Sequence, residues 1–188
     1  MKPYEHLKED LKLWQAQISE KGFPNFYGMQ RFGKHRPNSH LVGKAIFQEE
    51  HEKAVEEFLF AVYPKEYSQI AHFRTRVAET RDYTTAVKEC PKGLSYERTM
   101  LRYLAEHPDD YQGAVKTLPP ALLNIVMSAY QSYLFNSVVS NRLANGEPLH
   151  RPIKGDRISI LKEEYGHPSL VFYQYQGGDG WNDHNILK

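Results

Sequence analysis

The chain has 188 residues, with 24 Lys and Arg against 23 Asp and Glu and a formal net charge of +1. That length bounds it to one domain, or one and part of another, and the balanced charge excludes bulk attraction to nucleic acid as its only means of binding. The single cysteine, Cys90, excludes an internal disulfide and a thiolate zinc site and fits a reducing compartment. No apolar run approaches membrane-spanning length and no signal-peptide core opens the chain, so a soluble, cytoplasmic protein is expected. The histidines show no ligand spacing with a carboxylate partner on one helix and are read as surface or hydrogen-bonding residues.

In chain order, residues 3–20 carry Leu7, Leu11, Trp14 and Ile18 at helical spacing, and Gly22 stands as the stop. This helix is expected to pack on whatever precedes the next segment. That segment, Asn25-Phe26-Tyr27-Gly28-Met29-Gln30-Arg31-Phe32-Gly33, follows Gly22-Phe23-Pro24. Pro24 pushes Phe23 toward extended geometry, and Gly28 and Gly33 allow backbone angles or close approaches that a Cβ forbids, so a shaped loop is expected. Flat rings, an amide and a guanidinium suit a planar, anionic ligand such as a nucleotide. The competing reading is an aromatic turn that packs two elements together. From Lys21 to Gln48 there is no Asp or Glu, while Lys21, Arg31, Lys34, Arg36 and Lys44 occur there with His35 and His40. This basic window is either a phosphate-facing surface or an exposed loop balanced by acidic helices elsewhere.

A second helix is expected over Gln48–Val62, with Val55, Phe58, Leu59 and Val62 on one face and Pro64 ending it. Pro91-Lys92-Gly93 marks a turn, Ser95 a helix N-cap, and Met100, Leu101 and Leu104 the apolar face that follows. Pro108 opens a short helix with Asp109 and Asp110 in its first turn, where carboxylates complement the helix dipole.

Pro119-Pro120 begins the most apolar helix, running to about Leu143, whose hydrophobic residues cover more than one stripe and predict burial in the middle of the fold. Tyr130 and Tyr133 are read first as core aromatics there. Its polar residues Gln131, Asn136 and Ser140 then need partners, since an unpaired buried group costs about 1–3 kcal/mol. Two roles stay open for them: tying a loop or backbone turn in place, or touching a ligand.

Residues 157–161 and 170–175 read as strands separated by a Gly166-His167-Pro168 turn, and residues 177–181 as a flexible loop without the context of a phosphate-binding motif.

The order of residues in Asn25–Gly33 resembles the N-x-F-G-x-Q-R-F-G signature of the TruD family of RNA pseudouridine synthases, with Tyr27 where most members carry Phe. Ser128-Ala129-Tyr130-Gln131-Ser132-Tyr133-Leu134-Phe135-Asn136, then Ser140 and Arg142, is similar to the H-A-Y-Q-S-Y-L-F-N-x-x-x-S-x-R helix of the archaeal and eukaryotic-type branch, with Ser128 in place of His. Pro108-Asp109-Asp110-Tyr111 and Leu118-Pro119 also resemble that branch. The resemblance runs from about Gly22 to Arg142 and more weakly through Gly155-Asp156.

The resemblance implies an α+β, predominantly helical fold: part of a pseudouridine-synthase catalytic domain over residues 1–45, joined to a TruD-type insertion domain over 46–188 that is incomplete. It implies conversion of uridine to pseudouridine in tRNA, near position 13 in the D-stem region, with one aspartate as the essential catalyst and no cofactor or metal. That aspartate belongs to a G-x-K-D-x-x-A-x-T-x-Q segment upstream of the loop, which the 188 residues do not contain. Thr80-Arg81-Asp82-Tyr83-Thr84-Thr85-Ala86 is superficially alike but follows the loop and lacks the Gly and Gln, so Asp82 is read as a helix-cap or loop residue. No catalytic residue is therefore assigned in this chain; the nucleophile is expected from a missing segment or a second chain.

By resemblance, Asn25 orients the aspartate and Tyr27 faces the target base. Gly28, Gln30, Arg31 and Phe32 support the site, and Arg31, Lys34, Arg36 and Lys44 contact RNA. Arg31 pairs with either the carboxylate or a phosphate. Three readings compete: a piece of a tRNA pseudouridine synthase, a catalytically dead RNA-binding relative, and a helical interaction domain whose loop is only packing.

Overall fold

The computed structural model describes residues 5–164 and 167–177. The described chain is predominantly helical with one small sheet, the expected α+β class. Its helices are α1 (Glu5–Lys21), α2 (Ser39–Phe47), α3 (His51–Val55), α4 (Ser68–Thr80), α5 (Tyr83–Glu89), α6 (Ser95–Glu106), α7 (Tyr111–Lys116) and α8 (Pro120–Ala144). A 3₁₀ turn at Met29–Arg31 and a π turn at Glu56–Phe60 interrupt the loops and helices. The chain divides into two compact units, Met1–Asn25 with Ser137–Lys188, and Phe26–Asn136, so the division falls within α8.

The division does not follow the expected boundary at residue 45. Residues 26–45 belong with the helices that come after them, because α2 buries Val42 and Ala45 there. Gly43 sets how closely that helix can pack, since a Cβ on it would collide with the Val126 carbonyl of α8. Around α2, the core of this unit is built from the apolar faces of α3, α4, α6 and α7, with Val55, Met100, Leu101 and Leu104 almost wholly buried.

The single helix expected over Gln48–Val62 is broken twice. Glu49 takes a left-handed φ of 59°, which ends the α2 segment and separates it from α3. After Val55 the helix widens into the π turn and then leaves through Ala61 in extended geometry. Widening frees carbonyls from the helical ladder, and two arginines collect them. Arg74 Nη1 donates to Phe58 O at 3.0 Å and Leu59 O at 2.7 Å, while Arg36 donates to Glu57 O, Phe58 O and Ala61 O at 2.9–3.0 Å. Arg74 is 2% exposed and is neutralised by Glu66 at 2.8 Å and Glu97 at 2.7 Å.

Side-chain caps open two of the helices. Asp82 accepts from the Thr85 N–H at 3.0 Å and opens α5, in keeping with its reading as a cap. Asp110 does the same for α7 through the Gly113 N–H at 2.8 Å, so this helix starts three residues beyond Pro108. Ser95 is not the N-cap: it is the first helical residue of α6, Leu94 holds the cap position, and no side chain caps that end.

Two expectations about burial change. Along α8 only one stripe is covered, with Val126, Ala129 and Ser132 buried. Ile125, Tyr133, Leu134, Phe135 and Val138 stay 44–55% exposed, because the segments packed on this helix reach a single face. In the other unit, α1 leaves Leu7, Leu11, Trp14 and Ile18 exposed, although Gly22, at φ +80°, ends it as expected by donating to Ile18 O. There, strands β1 (Arg157–Glu164) and β2 (His167–Gln174) pair antiparallel in the register Arg157↔Gln174 to Glu164↔His167. His167 and Pro168 thus lie in a strand; Gly166 and residues 178–181 lie outside the described residues. Asp156 leads into β1 by accepting from Arg142 and from the Ile153 N–H, both at 2.9 Å.

Replacing Arg74 by Ala leaves Glu97 without its partner and Glu66 with Arg36 alone, and should cost about 3–5 kcal/mol in urea unfolding. Arg76→Ala, which removes an exposed ion pair with Glu89, should cost no more than about 1 kcal/mol. Equal losses would show that the buried network is not what holds this unit.

Candidate functional site

The loop between residues 26 and 38 is shaped by hydrogen bonds at both ends. The 3₁₀ turn is closed by Phe32 and Gly33 N–H groups, which both donate to Met29 O at 3.1 Å. Gly33 sits at φ +113°, and a Cβ there would collide with the Arg36 carbonyl, so this position requires glycine. Gly28 differs from expectation: its φ of −79° is open to any residue, and no atom lies within 4 Å of where its Cβ would be. The chain's own backbone does not demand glycine there.

α8 grips the N-terminal half of the loop through polar residues on its covered stripe. Asn136 Oδ1 accepts the Tyr27 N–H at 2.9 Å, and Asn136 Nδ2 donates to Tyr27 O at 3.0 Å. This two-point pairing mimics a strand partner and fixes the backbone at Tyr27. One helical turn earlier, Ser132 accepts from Arg31 Nε at 2.9 Å and donates to Ser128 O at 2.8 Å. Asn136 therefore takes the loop-tying role left open by the sequence. Gln131 and Ser140 remain exposed and needed no such partner.

With its backbone held, the loop turns its chemistry outward. The Tyr27 ring is 47% exposed and meets Phe135 edge-on at 5.5 Å between centroids. The Arg31 guanidinium carbon lies 5.6 Å from the centre of that ring. Asn25 and Gln30 are exposed and make no hydrogen bond among the described residues. Phe32 instead turns inward and meets His40 edge-on at 5.1 Å, and His40 stacks on Tyr133 at 4.9 Å.

The basic window splits into two groups. Lys34 and Lys44 are exposed, as is Arg31. Arg36, expected among the RNA contacts, points the other way: its guanidinium holds the π-turn carbonyls, and its Nε lies 3.3 Å from Glu66, near enough to pair but out of line for a hydrogen bond. Burial, reinforced by the charge of Arg74, pulls its pKa down. Arg36 thus shapes the loop and is not displayed by it. Asn38 adds to this anchor by donating to Glu57 O at 2.9 Å and to the Glu57 carboxylate at 3.0 Å.

The roles of Ser132 and of the ring stack at His40 are not legible in the sequence motifs alone. A signal for Ser132 lies in the spacing instead: Ser128, Ser132 and Asn136 recur every four residues and form a polar stripe on an otherwise apolar helix. What these groups can do is bind. They offer a half-exposed ring, an outward guanidinium and nearby lysines on a fixed backbone, with no nucleophilic carboxylate among them. Among the described residues no group of three or more His, Cys, Asp or Glu can hold a metal, and no helix is long and apolar enough to cross a membrane.

Asn136→Ala should destabilise the unit by roughly 1–3 kcal/mol, the contribution of two hydrogen bonds, and should speed amide exchange at Tyr27. Unchanged exchange there would remove Asn136 as the clamp. Burial also lowers the pKa of His40 below its ordinary 6.5, opposed by Glu57, and its Nδ1 is buried without a partner. The unfolded chain therefore takes up this proton first. The contribution of His40 is complete above about pH 6.5 and declines as pH falls from there through the lowered folded value. The stability gap between wild type and His40→Phe should shift toward the variant over that window, as read by urea unfolding at several pH values.

Comparison with known proteins gives this geometry a context. The profile of the family described as tRNA pseudouridine synthase D (TruD) matches residues 2–174. A relative from Methanococcoides burtonii, described as "probable tRNA pseudouridine synthase D", is 40% identical over 163 residues, 86% of this chain and 37% of the relative. One of the same description from Methanopyrus kandleri is 46% identical over 136 residues, 72% of this chain and 34% of the relative. A solved structure described as a TruD from Methanosarcina mazei superposes with a TM-score of 0.78 at 34% identity, covering 92% of this chain and 40% of that one. The chain thus spans about a third of the length of the curated relatives it matches. With a profile match over nearly its whole length and two relatives at this identity, the chain belongs to the TruD family, described as tRNA pseudouridine synthase D.

Proposed function

We propose that this chain is the part of a tRNA pseudouridine synthase that receives the target uridine, while the attacking aspartate comes from a G-x-K-D segment outside these 188 residues. Family membership supports the reaction class, an isomerisation in which the uracil detaches from its ribose nitrogen link and is rejoined through carbon. The observation that carries the reading is the Tyr27 ring, half-exposed on a backbone clamped by Asn136.

A uridine stacked in a helix is out of reach of any nucleophile, so the base has to leave its stack first. A ring already in place can hold the extruded base without an ordering cost of its own. In this reading Tyr27 is that ring and Asn25 stands ready to orient the carboxylate. Phe32 supports the loop from within against His40, Gly28 leaves open space beside Tyr27, and Gln30, Arg31, Lys34 and Lys44 meet the strand. Arg36 leaves the contact set because its guanidinium is engaged with Glu57 O, Phe58 O and Ala61 O. The unit at Phe26–Asn136 takes the part of the family's tRNA-clamping insertion domain together with the base-facing loop. Asp82 takes no catalytic part in this reading, since its carboxylate caps α5.

The test is pseudouridine formation in unmodified tRNA, with the 188-residue chain alone and with the chain extended by a family segment bearing G-x-K-D. Activity is expected only in the extended protein; turnover by the 188 residues alone would overturn the assignment of the nucleophile. In the extended protein Tyr27→Ala should lower turnover roughly 5- to 150-fold, the range of a lost base–aromatic stack, at an unchanged unfolding midpoint. Tight tRNA binding without turnover in the extended protein would favour an RNA-binding relative that has lost catalysis.

A further inference from the structure

Arg31 is set apart from most of the other arginines of the chain. Arg36, Arg74, Arg76, Arg81 and Arg142 each pair with a carboxylate, while Arg31 pairs with none among the described residues. Nor is it a free surface side chain. Its Nε is held at 2.9 Å by Ser132, a hydroxyl only 3% exposed, which is itself fixed by donating to Ser128 O. A buried hydroxyl that turns its lone pair to an exposed arginine sets the direction of the guanidinium. With Nε taken, the remaining donors are those of Nη1 and Nη2, and no bond to either is made among the described residues. The side chain therefore offers one pre-aimed end, two parallel N–H groups matched to two oxygens of a single anion.

From this geometry we infer that Arg31, aimed by Ser132, is a binding site for one backbone phosphate of the RNA strand, at the nucleotide whose base meets Tyr27. The inference rests on the proposed function and extends it by naming the ligand group and a positioning residue. Three observations favour phosphate over a carboxylate of the enzyme. The guanidinium carbon is 5.6 Å from the Tyr27 ring, so one ligand carrying a flat base and an anion satisfies both. Exposed Lys34 follows on the same loop, adding positive charge that a strand of repeating phosphates can use. No Asp or Glu occurs between Lys21 and Gln48, so nothing in the window competes for the fork. Ser132 acts through Arg31: without its hydroxyl the guanidinium keeps its charge and loses its fixed aim.

The experiment uses a complete TruD-family enzyme containing this segment, unmodified tRNA as ligand, and binding measured over a range of salt. Arg31→Ala should reduce the slope of log affinity against log salt by about one, the signature of one lost phosphate contact. Should that variant fold poorly, Arg31→Gln keeps a donor for Ser132 and should show the same loss of slope. Ser132→Ala should leave the slope unchanged and weaken binding roughly fivefold, the reach of a single hydrogen bond. It should have no further effect in the Arg31→Ala background, since its role passes through Arg31.

An unchanged slope in both Arg31 variants, with turnover lost, would assign Arg31 to the enzyme's own carboxylate. That result overturns the phosphate site and leaves the proposed function standing. Additive effects of Ser132→Ala and Arg31→Ala would overturn the positioning role. Absence of both tRNA binding and pseudouridine formation in the unaltered enzyme would overturn the functional reading together with the inference built on it.

Discussion

The buried cluster of Arg74, Arg36 and Glu66 is the constraint on which the unit at Phe26–Asn136 depends. The π turn after α3 breaks the regular helical ladder and leaves four carbonyls, from Glu57, Phe58, Leu59 and Ala61, in need of donors in a dry setting. Arginine suits this role, since one planar fork serves several acceptors and keeps its charge in the interior. Burial lowers the pKa of Arg36, and the repulsion between two guanidiniums placed together adds to it. Glu66 sits between them, Glu97 neutralises Arg74 from α6, and Glu57 adds its carboxylate nearby. Burial and the Glu57 carboxylate, which accepts from the Tyr63 hydroxyl, push the Tyr63 pKa up. The cluster is thus an interlocked set in which each charge makes its neighbour tolerable.

That cluster also explains how a loop without regular structure is held. Its far end is tied to the π turn by Arg36 and Asn38, and its near end is tied to α8 by Asn136 and Ser132. Between these anchors Gly33 makes the one bend that a side chain could not make. A loop anchored at both ends has already lost its conformational freedom on folding, so ligand binding does not have to bear that cost. The same arrangement divides the aromatics by task. Phe32 turns in to His40, which stacks on Tyr133, whereas Tyr27 stays at the surface against Phe135.

Local signals in the sequence were reliable where one residue decides. Pro120 marked the start of α8, Gly22 the end of α1, and Asp82 a helix cap, whereas Asp110 caps α7 instead of sitting in its first turn and Ser95 does not cap α6. Each rests on a backbone group that must find a partner within a few residues. Helices α2, α4 and α5 were not anticipated: α4 and α5 bury few apolar residues, and the apolar positions of the nine-residue α2 lie inside the basic window. The left-handed residue at Glu49 and the π turn were equally hidden: nothing in Glu49 or in Glu56–Phe60 demands those conformations, and the carbonyls of the π turn find their donors in arginines supplied from elsewhere.

What the sequence by itself determined is the inventory: a family-like order of residues in Asn25–Gly33 and Ser128–Asn136, a mostly helical chain, and a stretch of positive charge around the loop. What only the tertiary structure decided is the direction of each group. Arg31 and Arg36 lie five positions apart in the same basic window, yet one faces out beside Tyr27 and the other is drawn inward to the π turn. Their composition is identical, and the difference comes from partners 22 and 101 residues away, Phe58 and Ser132. Hydrogen bonds between segments so distant are formed only when the chain has folded, so no local pattern records which arginine the surface keeps.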